Sequence, residues 1–120
     1  MKNRVYEALQ AMRPPFAAYE ADIHAMVGER LAEAGLDYQH EAKIGNGCRI
    51  DYLAGDVGIE IKKGKPTTAA LTKQLLRYAA CESVAELIVV SQYSIRLPQV
   101  IGGKPLAVLV LNRLWGVALP

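Results

Sequence analysis

The chain has 120 residues, of which 52% are apolar and 22% are charged, and its formal net charge is +2. These values are typical of one globular domain and exclude an intrinsically disordered chain. No apolar run approaches the ~20 residues of a membrane span, and residues 1–10 lack the apolar core of a signal peptide. We therefore expect a single domain over residues 1–120, located in the cytoplasm, with no membrane partner.

The net charge does not identify a partner, and the two cysteines do not indicate a metal site. A net charge of +2 permits a nucleic-acid partner without requiring one. Cys48 and Cys81 are the only cysteines, and they lack the paired spacing of a zinc site. We expect both to be structural thiols, neither joined in a disulfide nor bound to zinc.

Two helices are predicted at the start of the chain. Residues 3–12 place apolar side chains at helical spacing, and the Pro14-Pro15 pair should end this helix. A second helix is predicted from Phe16 to Ala34. Its apolar stripe consists of Phe16, Ile23, Val27, Leu31 and Ala34.

Glu20 falls inside the apolar stripe of the second helix when residues are stepped by about 100°. Carboxylates on a core-facing stripe are rare unless they are paired or bound to metal. The alternative is an acid at the helix edge whose carboxylate reaches water. His24 lies one turn later, at the margin of the stripe. We interpret it as a packed or hydrogen-bonded residue, with a role at a phosphate or metal as the alternative.

A first strand is predicted over residues 38–44, and the glycines of residues 45–47 predict a turn into the next strand. His40 and Glu41 fit the simple alternation of a surface strand. Together with the hairpin that follows, this strand predicts a three-stranded antiparallel meander.

A β-hairpin is predicted from residues 48–53 and 57–63, which are rich in Ile, Val and Tyr. The Gly-Asp pair at 55–56 is the simplest two-residue turn between them. Counting from this turn places Asp51 opposite Glu60. Residues paired on antiparallel strands have Cβ atoms roughly 4.5–5.5 Å apart.

Alternation along the hairpin places Lys62 on the same face as Asp51 and Glu60. The two carboxylates repel each other, and folding alone does not require such a pair. A divalent cation relieves this repulsion, and Mg²⁺ is usually held by one or two carboxylates with positions left for water and phosphate. The alternative is an exposed hairpin with solvated charges. The opposite face is predicted to carry Ile50, Tyr52, Ile59 and Ile61.

A third helix is predicted with Thr67 or Thr68 as its N-cap and an end near Glu82. Gln74 and Tyr78 lie four residues apart on one face of this helix. Its flank is predicted to carry Leu71, Leu75, Tyr78, Ala79 and Glu82.

Five cations and no acid lie between Ile61 and Tyr78. Such a cluster fits a polyanionic backbone, with an ordinary solvated basic face as the alternative. The five are Lys62, Lys63, Lys65, Lys73 and Arg77.

Two further buried strands are predicted at residues 86–91 and 106–111. A right-handed crossover through the third helix should lay the first of them parallel to a neighbour. Residues 91–104 are interpreted as a loop that could include a helical turn. The apolar tail at 114–119 either folds back onto the sheet or meets a second subunit.

Asp51, a gap of eight residues and Glu60-Ile61-Lys62 resemble the motif of the PD-(D/E)XK nuclease superfamily. Ile50 stands in the place of the motif's proline, a replacement that the superfamily often tolerates. The resemblance implies metal-dependent hydrolysis of phosphodiester bonds, with Asp51, Glu60 and the Ile61 carbonyl holding one or two Mg²⁺ or Mn²⁺ ions. It also implies that Lys62 positions or activates the attacking water.

Gln74 and Tyr78 resemble the QxxxY motif of the RecB-like branch, which implies that they contact substrate and support the metal site. A glutamate on the first helix of these nucleases often reaches the same metal, and this implies a metal-binding role for Glu20. The residues expected to hold the nucleic-acid backbone are Gln74, Tyr78, Lys63, Lys65, Lys73 and Arg77.

The predicted order of helix, three strands, helix, strand and strand matches the αβββαβ core of the resembled superfamily. We therefore expect an α/β fold of the restriction-endonuclease type, with a mixed central sheet flanked by helices. The resemblance covers roughly residues 17–91, and the strand at 106–111 lies beyond it.

Several functions remain open for a nuclease of this kind. DNA is the expected substrate, with RNA as an alternative, and recognition of structure or ends is favoured over recognition of sequence. The QxxxY resemblance favours an exonuclease, whereas the small size and an expected homodimer favour a junction resolvase or structure-specific endonuclease. The other hypotheses are a non-catalytic nucleic-acid-binding or assembly subunit with this fold, and an unrelated small α/β protein with a chance motif.

Overall fold

Six strands form one mixed sheet in the computed structural model, which describes residues 2–13, 19–65 and 67–114. The strand order across the sheet is β1-β2-β3-β4-β6-β5. In chain order the elements are α1 (Lys2–Gln10), α2 (Glu20–Glu33), β1 (Gln39–Gly45), β2 (Cys48–Ala54), β3 (Val57–Lys62), α3 (Thr68–Ala79), β4 (Glu86–Ser91), β5 (Val100–Ile101), β6 (Lys104–Val110) and α4 (Leu111–Leu114).

The strand pairing confirms the predicted meander and the predicted parallel strand. β1, β2 and β3 are joined by tight turns and pair antiparallel. α3 then carries the chain across the sheet, so β4 pairs parallel with β3, and β6 pairs parallel with β4. The chain is therefore a single α/β domain with a mixed sheet, as expected from the order of its elements.

Helices cover the sheet on both faces. α1 and α2 lie on one face, and α3 lies on the other. β4 reads ELIVVS, and its side chains are buried on both faces, as is usual for a central parallel strand. The α2-side core includes Val5, Leu9, Ile23, Val27, Leu31, Tyr52, Ile59, Ile61, Ile88 and Val90, and the α3-side core includes Ile50, Leu53, Leu71, Leu75, Tyr78, Val84, Leu87 and Val89.

Ile50 lies on the opposite face from the one predicted. It was expected beside Tyr52, but it packs in the α3-side core. Gly58 on the adjacent strand makes the space, because a Cβ at that position would lie 2.7 Å from Ile50 Cδ1. Glu41, opposite Asp51 in the β1–β2 register, has a φ of 55° and does not take part in the backbone pairing. The pairs on either side of it, His40–Tyr52 and Ala42–Ile50, keep the same register. We infer that the alternation of faces is interrupted at this position, so that Ile50 and Tyr52 point to opposite faces of the sheet.

The helix bounds differ from the prediction at two places. Tyr19 has extended backbone and caps α2, so the helix begins at Glu20, and Phe16 lies outside the described residues. α3 ends at Ala79, and Glu82 is exposed beyond it. Thr67 is the N-cap of α3, because its hydroxyl accepts a hydrogen bond from the Ala70 amide.

The segment between β4 and β6 contains no helical turn within residues 92–99. It contains instead the two-residue strand β5, which pairs antiparallel with the start of β6. The residues 115–120 of the apolar tail lie outside the described part, so its predicted packing is untested. No helix among the described residues has the length and apolar character needed to cross a bilayer.

Candidate functional site

The site lies where β2 and β3 stop pairing. The backbone pairs run from Ala54–Val57 to Tyr52–Ile59, which confirms the register counted from the turn as far as Tyr52. The predicted pairing of Asp51 with Glu60 is not part of this ladder. At the next position of β2, the Asp51 side chain replaces a backbone carbonyl as the acceptor of a hydrogen bond from β3. Its Oδ2 atom accepts a hydrogen bond from the Ile61 amide at 2.7 Å. The carboxylate therefore satisfies a backbone donor at the point where the strands separate.

Glu60 lies beside this opening on the face covered by α3. It is only 4% exposed, although it is an acid. Lys62 Nζ lies 3.1 Å from Glu60 Oε2, and the Tyr78 hydroxyl donates to Glu60 Oε1 at 3.2 Å. Both carboxylate oxygens therefore have a partner within the protein.

The environment of Glu60 disfavours its charge. The pKa of Glu60 is raised to about 7, chiefly by burial and secondly by the nearby Asp51 carboxylate. Lys62 and the Tyr78 hydroxyl act in the opposite direction, because they favour the ionised form. Burial beside Glu60 also raises the pKa of Tyr78 well above its usual value, so Tyr78 remains a hydrogen-bond donor at neutral pH. A raised carboxyl pKa next to a second acid is typical of functional sites.

α3 connects the QxxxY pair to this acid. Gln74 Nε2 donates to the Tyr78 hydroxyl at 2.9 Å, and Tyr78 donates in turn to Glu60. Tyr78 is buried and Gln74 is half-buried. The burial of Tyr78 favours a role in holding Glu60 over direct contact with a substrate.

Glu20 is not a core-facing residue, contrary to the prediction. It occupies the first position of α2 and its side chain is 62% exposed. An acid at a helix N-terminus is stabilised by the helix dipole, so Glu20 does not need a metal or a buried partner. Its Oε2 atom lies 3.8 Å from His24 Nε2, and the same His24 atom lies 3.9 Å from Asp51 Oδ2. His24 therefore stands between Glu20 and Asp51.

Two further residues near Asp51 were not assigned to the site from sequence. His40 Nε2 lies 3.3 Å from His24 Nδ1, and the His40 ring stacks on Tyr52 with centroids 4.4 Å apart. The Tyr52 hydroxyl donates to the His24 carbonyl at 2.7 Å. Counting back from the turn at 45–47 pairs His40 with Tyr52, and that count could have identified the contact in advance.

The predicted cations lie at the surface. Lys63, Lys65, Lys73 and Arg77 are all exposed, in contrast to Gln74 and Tyr78 of the same predicted set. Lys65 is held in place, because its Nζ atom lies over the Tyr93 ring at 5.1 Å from the centroid.

The donors that fit a divalent ion are two carboxylates and one carbonyl. Among residues 2–13, 19–65 and 67–114, no three His, Cys, Asp or Glu side chains converge as a metal-binding group. Asp51 and Glu60 still supply two hard oxygen donors. The Ile61 amide faces Asp51, and in a strand the carbonyl of the same residue points to the same side. This set suits Mg²⁺ or Mn²⁺, which need few protein ligands when waters and a phosphate complete the shell.

No protein-family model, curated protein or solved structure matches this chain. The resemblance carried by Asp51, Glu60 and Lys62 therefore stays a prediction from the motif.

Proposed function

We propose that the protein is a metal-dependent deoxyribonuclease that recognises the structure or the ends of DNA. The observation that carries this proposal is the buried Glu60 carboxylate, which lies beside Asp51 and contacts Lys62 at 3.1 Å. Burying an acid is unfavourable unless it is paired, and placing a second acid beside it adds repulsion. A fold does not need this arrangement, whereas phosphoryl transfer uses it.

Asp51, Glu60 and the Ile61 carbonyl are the proposed ligands of Mg²⁺ or Mn²⁺. A bound ion would supply Lewis-acid polarisation of the phosphate and a more acidic water. Glu20 is too exposed to be assigned as a direct ligand on this geometry, and we place it in an outer role through His24.

Lys62 is the residue that we assign to the attacking water. Its ammonium group lies against Glu60. There it neutralises the carboxylate, and it is placed to orient a water or to neutralise charge that develops on the phosphate. Tyr78 and Gln74 hold Glu60 from behind, so its carboxylate keeps one orientation.

The exposed cations Lys63, Lys65, Lys73 and Arg77 are the proposed contacts to the DNA backbone. Contacts to phosphate carry no sequence information, which is consistent with recognition of structure or ends. RNA is the alternative substrate, and a homodimer is the proposed active form.

A second candidate is a non-catalytic nucleic-acid-binding subunit with this fold. The observation that favours it is that no three metal-ligating side chains converge in the described part of the chain. This candidate predicts binding of nucleic acid without hydrolysis.

The experiment is cleavage of labelled single-stranded, duplex, flapped and four-way-junction DNA, and of matched RNA, with Mn²⁺, Mg²⁺ or EDTA. We expect cleavage that requires the metal and is abolished by Asp51→Asn and by Lys62→Ala. Circular dichroism and thermal melting should show that both variants remain folded.

Matched controls come from exposed residues of the same types. Asp56→Asn lies in the hairpin turn and Lys43→Ala lies on β1, and both should cleave like the wild type. Binding of DNA without cleavage would support the second candidate. If the folded protein neither binds nor cleaves nucleic acid, the motif is a coincidence. Unfolding of Asp51→Asn would assign that residue a structural role.

A further inference from the structure

A cavity of about 240 Å³ lies at the end of β3 and β4, under the start of α3. Pockets for drug-sized ligands are usually about 300–1,000 Å³, so this cavity suits a smaller group. The side chains that matter for its chemistry are Lys65, Thr68, Ser91, Tyr93 and Arg96.

The cavity adjoins the candidate site on the same face of the sheet. Lys62 on β3 pairs with Ser91 on β4, which lines the cavity. Val89, two residues before Ser91, belongs to the α3-side core, so alternation places Ser91 on the face of Glu60 and Lys62. Neighbouring strands lie about 5 Å apart, and the cavity is therefore one strand away from Lys62.

Gln92 joins the two walls of the cavity by hydrogen bonds. Its backbone amide donates to the Lys62 carbonyl at 3.0 Å, and its side-chain Oε1 atom accepts from the Gly64 backbone amide at 3.1 Å. Gly64 has a φ of 90°, a conformation that favours glycine, and it turns the chain between Lys62 and Lys65. The Ser91 hydroxyl donates to the Tyr93 carbonyl at 2.6 Å and fixes the start of the opposite wall.

The lining of the cavity is cationic. Lys65 and Arg96 both line it, and no acid does so among the described residues. The Tyr93 ring holds the Lys65 ammonium by a cation–π contact at 5.1 Å, which lowers the cost of ordering a long side chain. Thr68, at the start of α3, adds the positive end of a helix dipole. Each of these features favours an anion of the size of phosphate.

We propose that this cavity binds a phosphate of a nucleic-acid strand whose neighbouring phosphate lies at Glu60 and Lys62. The identity of the ligand as a strand rests on the proposed nuclease function. The preference for phosphate rests only on the charge and the size of the cavity. Arg96, Tyr93 and Thr68 thereby join the substrate-binding surface. Of the residues that line the cavity, only Lys65 was assigned to that surface from sequence.

The test is binding of a labelled single-stranded oligonucleotide in EDTA, measured over a range of salt concentrations. Loss of one phosphate contact should weaken binding and reduce the slope of log K against log salt by about 0.7. We expect this change for Lys65→Ala and for Arg96→Ala. Arg4→Ala removes an exposed cation from α1, on the other face of the sheet, and should leave the slope unchanged.

A second pair of variants tests the position of Lys65. Tyr93→Phe keeps the ring under the ammonium, so it should bind like the wild type. Tyr93→Ala removes the ring and should weaken binding in the same direction as Lys65→Ala. Equal binding by Tyr93→Ala and the wild type would contradict the role of Tyr93.

The outcomes separate this proposal from the nuclease function, because binding in EDTA does not depend on cleavage. A smaller slope of log K against log salt in Lys65→Ala and in Arg96→Ala would support phosphate binding by the cavity even if the wild type never cleaves. Wild-type slopes in both variants overturn it even if the wild type cleaves. Inorganic phosphate that competes as well as the oligonucleotide, at equal phosphate concentration, would overturn its assignment to a strand.

Discussion

The Tyr78 hydroxyl donates to Glu60 Oε1 at 3.2 Å, and this contact joins α3 to the sheet at the candidate site. Glu60 is the one acid that is buried among the described residues. Gln74 donates to the same hydroxyl, so two residues of one helix act on one carboxylate. The orientation of Glu60 therefore depends on how α3 packs against β3.

Tyr78→Phe should lower metal-dependent cleavage by about 10–100-fold, the usual cost of removing a partner that orients a metal ligand. The ring remains, so packing in the α3-side core is kept and only the hydroxyl is lost. Cleavage rates measured over a range of Mn²⁺ concentrations would show whether metal affinity has fallen.

Tyr6→Phe is the matched control for this substitution. The Tyr6 hydroxyl donates to the Val108 carbonyl at 3.1 Å, and Tyr6 packs against the α2-side core. It should cost some stability and leave cleavage unchanged. Wild-type cleavage by Tyr78→Phe would contradict a role for the hydroxyl.

The stability of the metal-free protein should fall as the pH rises from about 4 to about 8. Burial raises the pKa of Glu60 from 4.5 to about 7 in the folded state. The protonated carboxyl therefore stabilises the folded state, and the whole of this contribution is present at pH values below the unfolded-state pKa of 4.5. The contribution is lost as the pH rises through about 7. The shift corresponds to about 3 kcal/mol in the free energy of unfolding. Urea unfolding in EDTA across this range measures it.

Glu60→Gln removes the titrating group and should lose this part of the pH dependence. Added Mn²⁺ should also reduce it in the wild type, because a bound cation favours the ionised carboxylate. The same pH slope in Glu60→Gln and the wild type would mean that another group is responsible.

Glu20→Gln should reduce cleavage by less than about tenfold, since interactions of exposed charges are usually worth no more than ~1 kcal/mol. Asp51→Asn should abolish cleavage under the same conditions. Glu29→Gln, exposed on the same helix, is the control for a general effect of charge. A complete loss in Glu20→Gln would show that this side chain reaches the metal.

Gly58→Ala should destabilise the fold by about 1–3 kcal/mol, because the added Cβ would lie 2.7 Å from Ile50 Cδ1. Ile50→Val removes that atom and should cost about 0.5–1.5 kcal/mol alone. The double variant should be less destabilised than the sum of the two. If chemical denaturation shows that the two changes in the free energy of unfolding simply add, the clash lies elsewhere, such as at Leu87.

Local patterns in the sequence predicted most of the helices and strands, and the register of the central hairpin as far as Tyr52. The turn at residues 55–56 is a local signal, and each strand alternates with period 2, so one count relates residues on both strands. The shared face of Glu60 and Lys62 followed from the same count. The parallel placement of β4 followed from the helix between β3 and β4.

Which faces and helix ends meet at the site depends on contacts between distant parts of the chain. Ile50 lies on the other face because Gly58 leaves space on the neighbouring strand, and strict alternation does not predict the interruption at Glu41 and Asp51. Glu20 fell on the apolar stripe of a helical wheel, but it sits in the first turn of α2, where the helix end reaches solvent. His24 lies between Asp51 and His40 because α2 packs over β1 and β2. Local patterns set periodicity and turns, whereas contacts between distant segments depend on how the helices dock on the sheet.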